Sequence, residues 1–592
     1  MQLFLLWSPG EDAGEAADAG TVAAKLQAVF APVFGSPLGQ RVMQGAAASL
    51  VVLELPARGW RPASFQEDDR GWAFAVDYPV NGPKVMGAPD GEDGFLLSLG
   101  RALQAEPRPL LGNLAPPFCL AWSDKASGEI FLQNDGLGQS QLYEYRDGPR
   151  WALSNKVFAF RALGLPVDPD PEAWAVHATL GWFPMELTGY RRIRFVKPGT
   201  QFRIGASGAA STQIDVLPDW VRRAGLAPSD CLELARQSLR SVIEGCLSLW
   251  DPPEVGLTGG WDSRAVVATL RALGADFSTV VRGLPGRPDV VIASELARIA
   301  GLDLKVVSSS GLPPDDAEAC RRCISRALLW QAGHAAIHRQ KTFLADRPWL
   351  RPKRINVTGQ HGEIGRRERA LFGEDRVKIV QARQWSEPEY EAFILQDLLS
   401  EMPPSLRPSL REAVREAITA AYHQADRYGL EGLARVDFFS LYEFTRRKGA
   451  GVHAWQPRQL VAPFLNPGFI RAVFNYTERA EMNVFHRYII RAHAPDWAEV
   501  PYFEDMEAVR EKGDGGALPS VTSRDWKQPT GRENYNGPRY WETVGRPLID
   551  EALAEGGFWT EVFDPDLART QWQAAPDILA ILHLLPGVIQ DA

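Results

Sequence analysis

Leu257-Thr258-Gly259-Gly260-Trp261-Asp262-Ser263-Arg264 is the stretch on which the reading of this chain turns. It stands where the short apolar strand Glu254-Val255-Gly256-Leu257 ends and a helical run over 263–273 begins. A helix N-terminus has unpaired backbone N–H groups and the positive end of the helix dipole, so such a turn can hold an anion. Gly259 and Gly260 let the backbone approach a pyrophosphate closely, and Thr258 and Ser263 add hydroxyl donors. Asp262 has the wrong charge for direct phosphate contact; a magnesium ion bridging phosphates would suit it. The plainer reading of the same residues is a tight βα turn with a serine cap. The segment has neither the lysine of a Walker A loop nor the spacing of a dinucleotide fingerprint.

Outward from this turn, a strand over 277–281, a helix over 290–300 and a strand over 302–307 continue the alternation, which predicts a parallel sheet with helices on its faces. Pro228-Ser229-Asp230 reads as the N-cap of a preceding helix, and 385–500 reads as mostly helical. Residues 1–205 are different. Alternating apolar runs such as Leu50-Val51-Val52-Leu53, Trp72-Ala73-Phe74-Ala75-Val76 and Phe118-Cys119-Leu120-Ala121-Trp122 predict a sheet-rich half with few helices. The small, polar stretch 205–212 reads as a turn or an inter-domain junction, and 513–540 as a long loop.

At 592 residues the chain exceeds one compact unit, so at least two domains are expected. A formal charge of −9, from 64 Lys and Arg against 73 Asp and Glu, argues against a general nucleic-acid binder. No apolar run is long enough to span a bilayer, and Met1-Gln2-Leu3-Phe4-Leu5-Leu6-Trp7 is too short for a signal segment; it reads as a buried first strand. Five cysteines make no disulfide framework. Cys320 and Cys323 form a lone CxxC without a second zinc-type pair, so they read as two small residues on one helix face. His334 and His338, four apart and lacking a third ligand, read as core-edge or surface residues. A cytoplasmic protein with no membrane partner is expected.

The segment 257–263 resembles the SGGxDS pyrophosphate loop of the asparagine synthetase family. Val357-Thr358-Gly359-Gln360-His361-Gly362-Glu363 is similar to that family's second nucleotide loop, Gly283-Leu284-Pro285-Gly286-Arg287-Pro288-Asp289 to its segment after the second strand, and Pro463-Phe464-Leu465-Asn466 to its PFLD. In the first half, Asn134-Asp135-Gly136-Leu137-Gly138-Gln139-Ser140-Gln141-Leu142-Tyr143 resembles the RDxxGxxPLYY of the amidotransferase half; Leu153-Ser154-Asn155-Lys156 and Lys197-Pro198-Gly199 match further motifs there. The resemblance implies a two-domain α+β and α/β chain. Residues 1–210 would be a class II glutamine amidotransferase-like domain, an Ntn-type αββα sandwich. Residues 225–592 would be a PP-loop ATP-pyrophosphatase α/β domain with a parallel sheet and helical insertions.

It also implies site residues. Leu257, Thr258, Gly259, Gly260, Asp262, Ser263, Thr358 and Gly359 would bind ATP, and Asp262 with Glu363 would hold Mg2+. Two departures alter the chemistry. The nucleophilic cysteine after the initiator Met is replaced by Gln2, whose carboxamide cannot act as a thiolate, so the first half should lack glutaminase activity. At the acidic or tyrosine position of the second loop stands Gln360, which can position by hydrogen bonding but cannot serve as a base. His361, in place of a glycine, has an ordinary pKa near ~6.5, suited to taking a proton from an attacking ammonium; contact with a phosphate or a cap on the next helix is the plainer alternative. Lys512 is the residue nearest to the family's late phosphate-binding lysine, with Lys527 competing. Basic residues around the second loop, Arg351, Lys353, Arg354, Arg366, Arg367 and Arg369, read as phosphate counter-charges or a solvated face. Arg446-Arg447-Lys448-Gly449 reads as a grip on pyrophosphate or a substrate carboxylate.

Family members without the cysteine include β-lactam synthetases and lasso-peptide cyclases, and the chain length and second loop look closer to the latter. The expected activity is therefore ATP- and magnesium-dependent macrolactam formation. A substrate Asp or Glu carboxylate is adenylated and the N-terminal amine of the same precursor core peptide then attacks it. A leader-binding protein and a transglutaminase-like leader peptidase are the implied partners. A small-molecule amide synthetase and a non-catalytic scaffold are the rival readings.

Overall fold

Leu3, Leu5 and Trp7 of strand β1 (Leu3–Ser8) enter one core while Phe4 and Leu6 enter another, the two-residue period of a strand buried on both faces. The computed structural model describes residues 2–8, 18–35, 37–45, 47–54, 63–87, 94–250, 252–283, 288–307, 316–334, 356–370, 385–449, 460–478, 483–502 and 541–592. Strand β1 lies in an antiparallel sheet ordered β10 (Ile193–Phe195), β8 (Tyr143–Asp147), β9 (Arg150–Ser154), β1, β3 (Ser49–Glu54), β2 (Gly39–Gln44). A second antiparallel sheet runs β12 (Gly208–Gln213), β11 (Thr200–Gly205), β7 (Glu129–Asn134), β6 (Cys119–Asp124), β5 (Trp72–Asp77), β4 (Phe65–Glu67).

The sheets meet face to face: Phe4, Leu6, Val52 and Leu153 of one pack against Phe74, Ala121, Leu132 and Phe202 of the other. Outside them, the helix Ala19–Phe34 covers the first sheet and Phe95–Ala105 the second, which makes four layers in the order helix, sheet, sheet, helix. The expectation of few helices here needs correction. Val22, Leu26, Val29, Phe30 and Val33 recur at helical spacing and are buried, and Asp18 caps the helix by accepting the Thr21 N–H at 2.8 Å. Of the two readings of 205–212, the turn holds and the junction does not: Gly205 pairs with Gly208 in the β11–β12 hairpin.

Beyond the helix Pro228–Leu249, whose N-cap is Ala227 with no side-chain bond rather than Ser229 or Asp230, a third sheet forms. Its order is β15 (Leu304–Val307), β14 (Ser278–Arg282), β13 (Glu254–Gly256), β16 (Asn356–Val357), β17 (Leu460–Val461), and every pairing is parallel. From β13 the chain builds outward to β15, then returns to add β16 and β17 on the other side. The seam between β13 and β16 is thus a topological switch point, where loops leave the strand ends in opposite directions and open a crevice. Segments 257–260 and 358–361 both leave the sheet at this seam.

The cores ignore the 210–225 boundary. One joins Leu3, Leu5 and Phe30 to Trp330, Trp559 and Ile581; another joins Phe95 and Trp122 to Leu239, Val266 and Phe464. Trp330 sits with its ring 5.9 Å from Phe30, 5.3 Å from Phe34 and 3.6 Å from the Lys156 ammonium. Cys320 and Cys323 are buried on the helix Ala317–Gln331.

Candidate functional site

The helix Trp261–Ala272 begins at Gly260 without a side-chain cap, so its first N–H groups face the seam. Leu257 N–H donates to Val280 O at 3.0 Å, which ties the start of the loop to the neighbouring strand. The Thr258 and Ser263 hydroxyls are 2.8 Å apart, and Thr258 N–H donates to Ser263 Oγ at 3.1 Å. Both hydroxyls named as phosphate donors therefore first brace the loop itself. Gly259 N–H donates to Asp289 Oδ1 at 2.9 Å, from the first turn of the helix Pro288–Ala300. Burial pushes the Asp289 carboxyl above its usual range, against the opposing effect of that bond.

The second loop lies directly on the first. A β-carbon at Gly359 would stand 2.6 Å from Ser263 N, and one at Gly362 would collide with the Asp262 carboxylate. Thr358 N–H donates to Val461 O at 2.9 Å, and its hydroxyl accepts from Gln360 N–H at 3.1 Å; the Gln360 side chain is exposed. Thr258, Gly259, Gly260, Asp262, Ser263, Thr358, Gly359, His361 and Glu363 are thus brought together, while Lys512 lies outside the described residues.

Asp262 carries more contacts than the sequence reading gave it. Arg366 donates from Nη2 to Oδ2 at 2.6 Å and from Nε to Oδ1 at 3.2 Å, and His486 Nε2 lies 2.8 Å from Oδ1. Burial alone pushes the Asp262 carboxyl up, but the His486 contact and the Arg366 charge outweigh it and hold the group below the usual carboxylate range. Glu363 moves the other way, raised first by burial and then by the charge of Asp262. The Asp262 charge raises the buried Glu363 carboxyl beside it, a repulsion that a divalent cation between them would relieve. Arg366 would have to yield part of Asp262 to it. Arg366, expected as a phosphate counter-charge or part of a solvated face, is paired instead with a protein carboxylate, and Arg351, Lys353 and Arg354 lie outside the described residues.

His361 departs from its expected role. It is buried, adopts a left-handed backbone (φ 69°), and burial pushes its imidazole down to about 4 despite the neighbouring Asp262 charge. Such a group is neutral at pH 7 and a poor proton acceptor. Its Nε2 lies 3.3 Å from Nε2 of Gln139, a residue of the first half.

Arg446 and Arg447, read as a grip on pyrophosphate or a substrate carboxylate, turn instead to the first half of the chain. They lie buried in the π-helix Ser440–Gly449; Arg447 stacks on Phe195 at 3.6 Å, and both donate to the Met185 carbonyl. The same helix carries a group the sequence reading missed. Glu443 accepts the Met185 N–H at 3.0 Å, and burial pushes its carboxyl up to about 7, against the opposing charges of Arg446 and Arg447. This helix packs against the Gly362–Ala370 helix that continues the second loop. The signal was present as an acid three residues before an Arg-Arg pair, i,i+3 on a helix.

In the first half, Gln2 occupies the position of the absent nucleophile. Its N–H donates to Val76 O at 3.0 Å, its carbonyl accepts from Asn155 at 2.6 Å, and its carboxamide donates to Ser64 Oγ at 3.2 Å. Cys119 is buried, and its thiol is pushed far up by burial and by Asp77 and Asp135, so it offers no thiolate in its place. His334 packs among Tyr143, Phe183 and Phe195, with its imidazole driven well below the ordinary range by burial; His338 lies outside the described residues.

No family model matches the chain, and no curated protein matches it. Among solved structures, the glutamine phosphoribosylpyrophosphate amidotransferase from B. subtilis, complexed with ADP and GMP, is similar at TM-score 0.25 and 14% identity, over 53% of this chain and 66% of that one. The structure of the allosteric regulatory enzyme of purine biosynthesis is similar at TM-score 0.25 and 13% identity, over 53% of this chain and 82% of that one. At that TM-score neither likeness bears on function, and the account of this chain as two antiparallel sheets joined to a parallel one rests on its own strand pairing.

Proposed function

We propose that this chain is an ATP- and magnesium-dependent amide synthetase that closes a macrolactam ring in a precursor peptide, as lasso-peptide cyclases do. The observation that carries the reading is the apposition of loops 257–263 and 358–363 at the β13/β16 seam, with uncapped helix N–H groups and two carboxylates in one crevice. A nucleotide triphosphate suits the first feature and a divalent cation the second. Asp262 and Glu363 would hold magnesium, which would supply charge neutralisation to the phosphates.

In the reaction, an Asp or Glu side-chain carboxylate of the peptide attacks the α-phosphorus; the new O–P bond forms as the bond to pyrophosphate breaks. The N-terminal amine then attacks the acyl carbon, the C–N bond forms, AMP leaves, and the amine gives up a proton. Gly259, Gly260 and the helix start bind the phosphates, Thr258 and Ser263 shape that turn, and Thr358 and Gly359 close it from the other side. His361, pushed down to about 4 by burial, is too weak a base to hold that proton, which passes to solvent. Holding amine and acyl group together would be the larger contribution.

The reading is tested by incubating purified protein with ATP, magnesium and a leader-trimmed linear peptide. Expected are ATP–pyrophosphate exchange, AMP release and a peptide product lighter by one water. Asp262→Ala should abolish all three. No exchange with any linear precursor at ample magnesium would sink the synthetase reading. One observation favours a second reading, a non-catalytic binding protein: Asp262 is already paired with Arg366 and His486, and Gly259 N–H with Asp289. Retention of nucleotide affinity without exchange would select it.

A further inference from the structure

We infer that Gln139 is a positioning residue by which the first half fixes the second loop of the crevice, through its hydrogen bond to His361. Nothing in the nucleotide chemistry proposed above requires the first half, whose own nucleophile is absent, and this contact gives it a task.

The geometry begins at Asp135. This buried carboxylate accepts four backbone N–H groups, from Leu137 and Gln139 at 3.0 Å, Ser140 at 2.8 Å and Phe118 at 3.4 Å. Gly138 turns at φ 67°, where a β-carbon would lie 3.2 Å from Pro198, so the turn has one course. Ser140 Oγ donates to Asp77 at 2.5 Å. With 135–140 gathered inward on Asp77 and Asp135, the side chain of Gln139 is the group that crosses to the parallel-sheet half. It reaches His361 Nε2 at 3.3 Å, both residues being buried.

The receiving end is sensitive to position. His361 occupies a left-handed backbone that a β-carbon disfavours, and Gly359 and Gly362 on either side pass against Ser263 and Asp262 with no space for a side chain. A shift of the His361 ring therefore moves the loop backbone relative to the start of the Trp261–Ala272 helix. Among the described residues, buried Gln139 Oε1 has no hydrogen-bond partner and the imidazole is the partner of the carboxamide nitrogen, so the side chain is aimed at the junction. A carboxamide suits the task because it can donate to a ring nitrogen or accept from it, and so holds either tautomer.

The test uses the full chain with Gln139→Leu, similar in shape but without hydrogen bonds, and Gln139→Glu, which offers His361 Nε2 an acceptor in place of the amide donor. Histidine-selective 15N labelling resolves the nine histidines, with His361 assigned by its absence in His361→Ala. In Gln139→Leu the His361 ring nitrogens should shift while the other histidines stay in place. Amide hydrogen exchange over 357–365 should quicken about tenfold, the loss of one buried hydrogen bond, with exchange in the strands of the antiparallel sheets unchanged. Gln139→Glu should return the loop exchange toward wild type, while the His361 Nε2 signal moves to that of a protonated nitrogen, which a carboxylate partner requires. An unmoved His361 signal would overturn the contact. A moved signal with unchanged loop exchange, or a Gln139→Glu chain as fast as Gln139→Leu, would overturn the positioning role. Neither readout uses ATP, so wild-type failure to bind an ATP analogue would remove the proposed function and leave this inference to stand or fall separately.

Discussion

Gly259 offers the amide proton that a phosphate would take, and Asp289 already holds it at 2.9 Å. A carboxylate in a phosphate's place repels it, and a protonated carboxyl or an amide does not. Asp289→Asn should therefore bind an ATP analogue severalfold more tightly than wild type at pH 8, a gain of about 1 kcal/mol. Because the Asp289 carboxyl is raised, wild-type affinity should climb toward the variant's as the pH falls and the group takes up its proton. Calorimetric titration at several pH values measures this, and parallel curves for the two proteins would remove Asp289 from the phosphate's path. At this scale the sequence was informative about which residues meet and silent about their state. The glycine turn and its partner at 358–363 were legible as a pair because glycine and small hydroxyl residues report close approach directly. The weak basicity of His361 was not, because it comes from burial in a junction with Gln139, 222 positions away. Nor could the spacing show that Arg366 and His486 converge on Asp262, since His486 arrives on a separate helix.

The π-helix Ser440–Gly449 buries three charged residues, Glu443, Arg446 and Arg447, within five positions. The wider turn of such a helix marks an insertion into α-helical backbone, often at a functional position. Glu443 there has a carboxyl raised to about 7 from an ordinary 4.5, so the folded chain binds a proton that the unfolded chain has already lost between those values. Its contribution to stability is thus fully present below the ordinary value and falls as the pH rises toward 7. Glu443→Gln keeps an acceptor for Met185 N–H and removes the ionisation. Its melting temperature relative to wild type should rise between pH 5 and pH 8, as scanning calorimetry can read; a constant difference would mean that Glu443 is ionised throughout. The alternation of strand and helix over 254–307 was readable because β13 and β14 are short runs followed by Gly259-Gly260 and Gly283, with helical patterns between the strands. The helix Ala19–Phe34 escaped because six of its sixteen residues are Ala or Gly, which dilute the apolar stripe that Val22, Leu26 and Phe30 form.

The whole molecule is held by cores that draw on both ends of the chain. Composition predicted more than one domain, and the resemblance placed a boundary between 210 and 225, but neither could reveal that Trp330 would be enclosed by Phe30 and Phe34. Trp330→Ala should cost about 3–5 kcal/mol, measured by urea unfolding, because it opens a cavity between the halves. A loss under about 1 kcal/mol would mean that the halves are held elsewhere. A chain restricted to 225–592 should express as aggregate, since Trp122, Phe95 and Phe30 would no longer cover its apolar faces. Separate domains ordinarily melt in separate steps, and a hydrophobic core that neither half completes alone removes that independence. The shared cores should therefore make the chain one cooperative unit with a single calorimetric transition, and two separate transitions would show that the halves unfold independently. By mass action, a ligand gripped at 257–263 would then raise the melting of strands such as β2, at the far edge of a sheet that has no part in holding it.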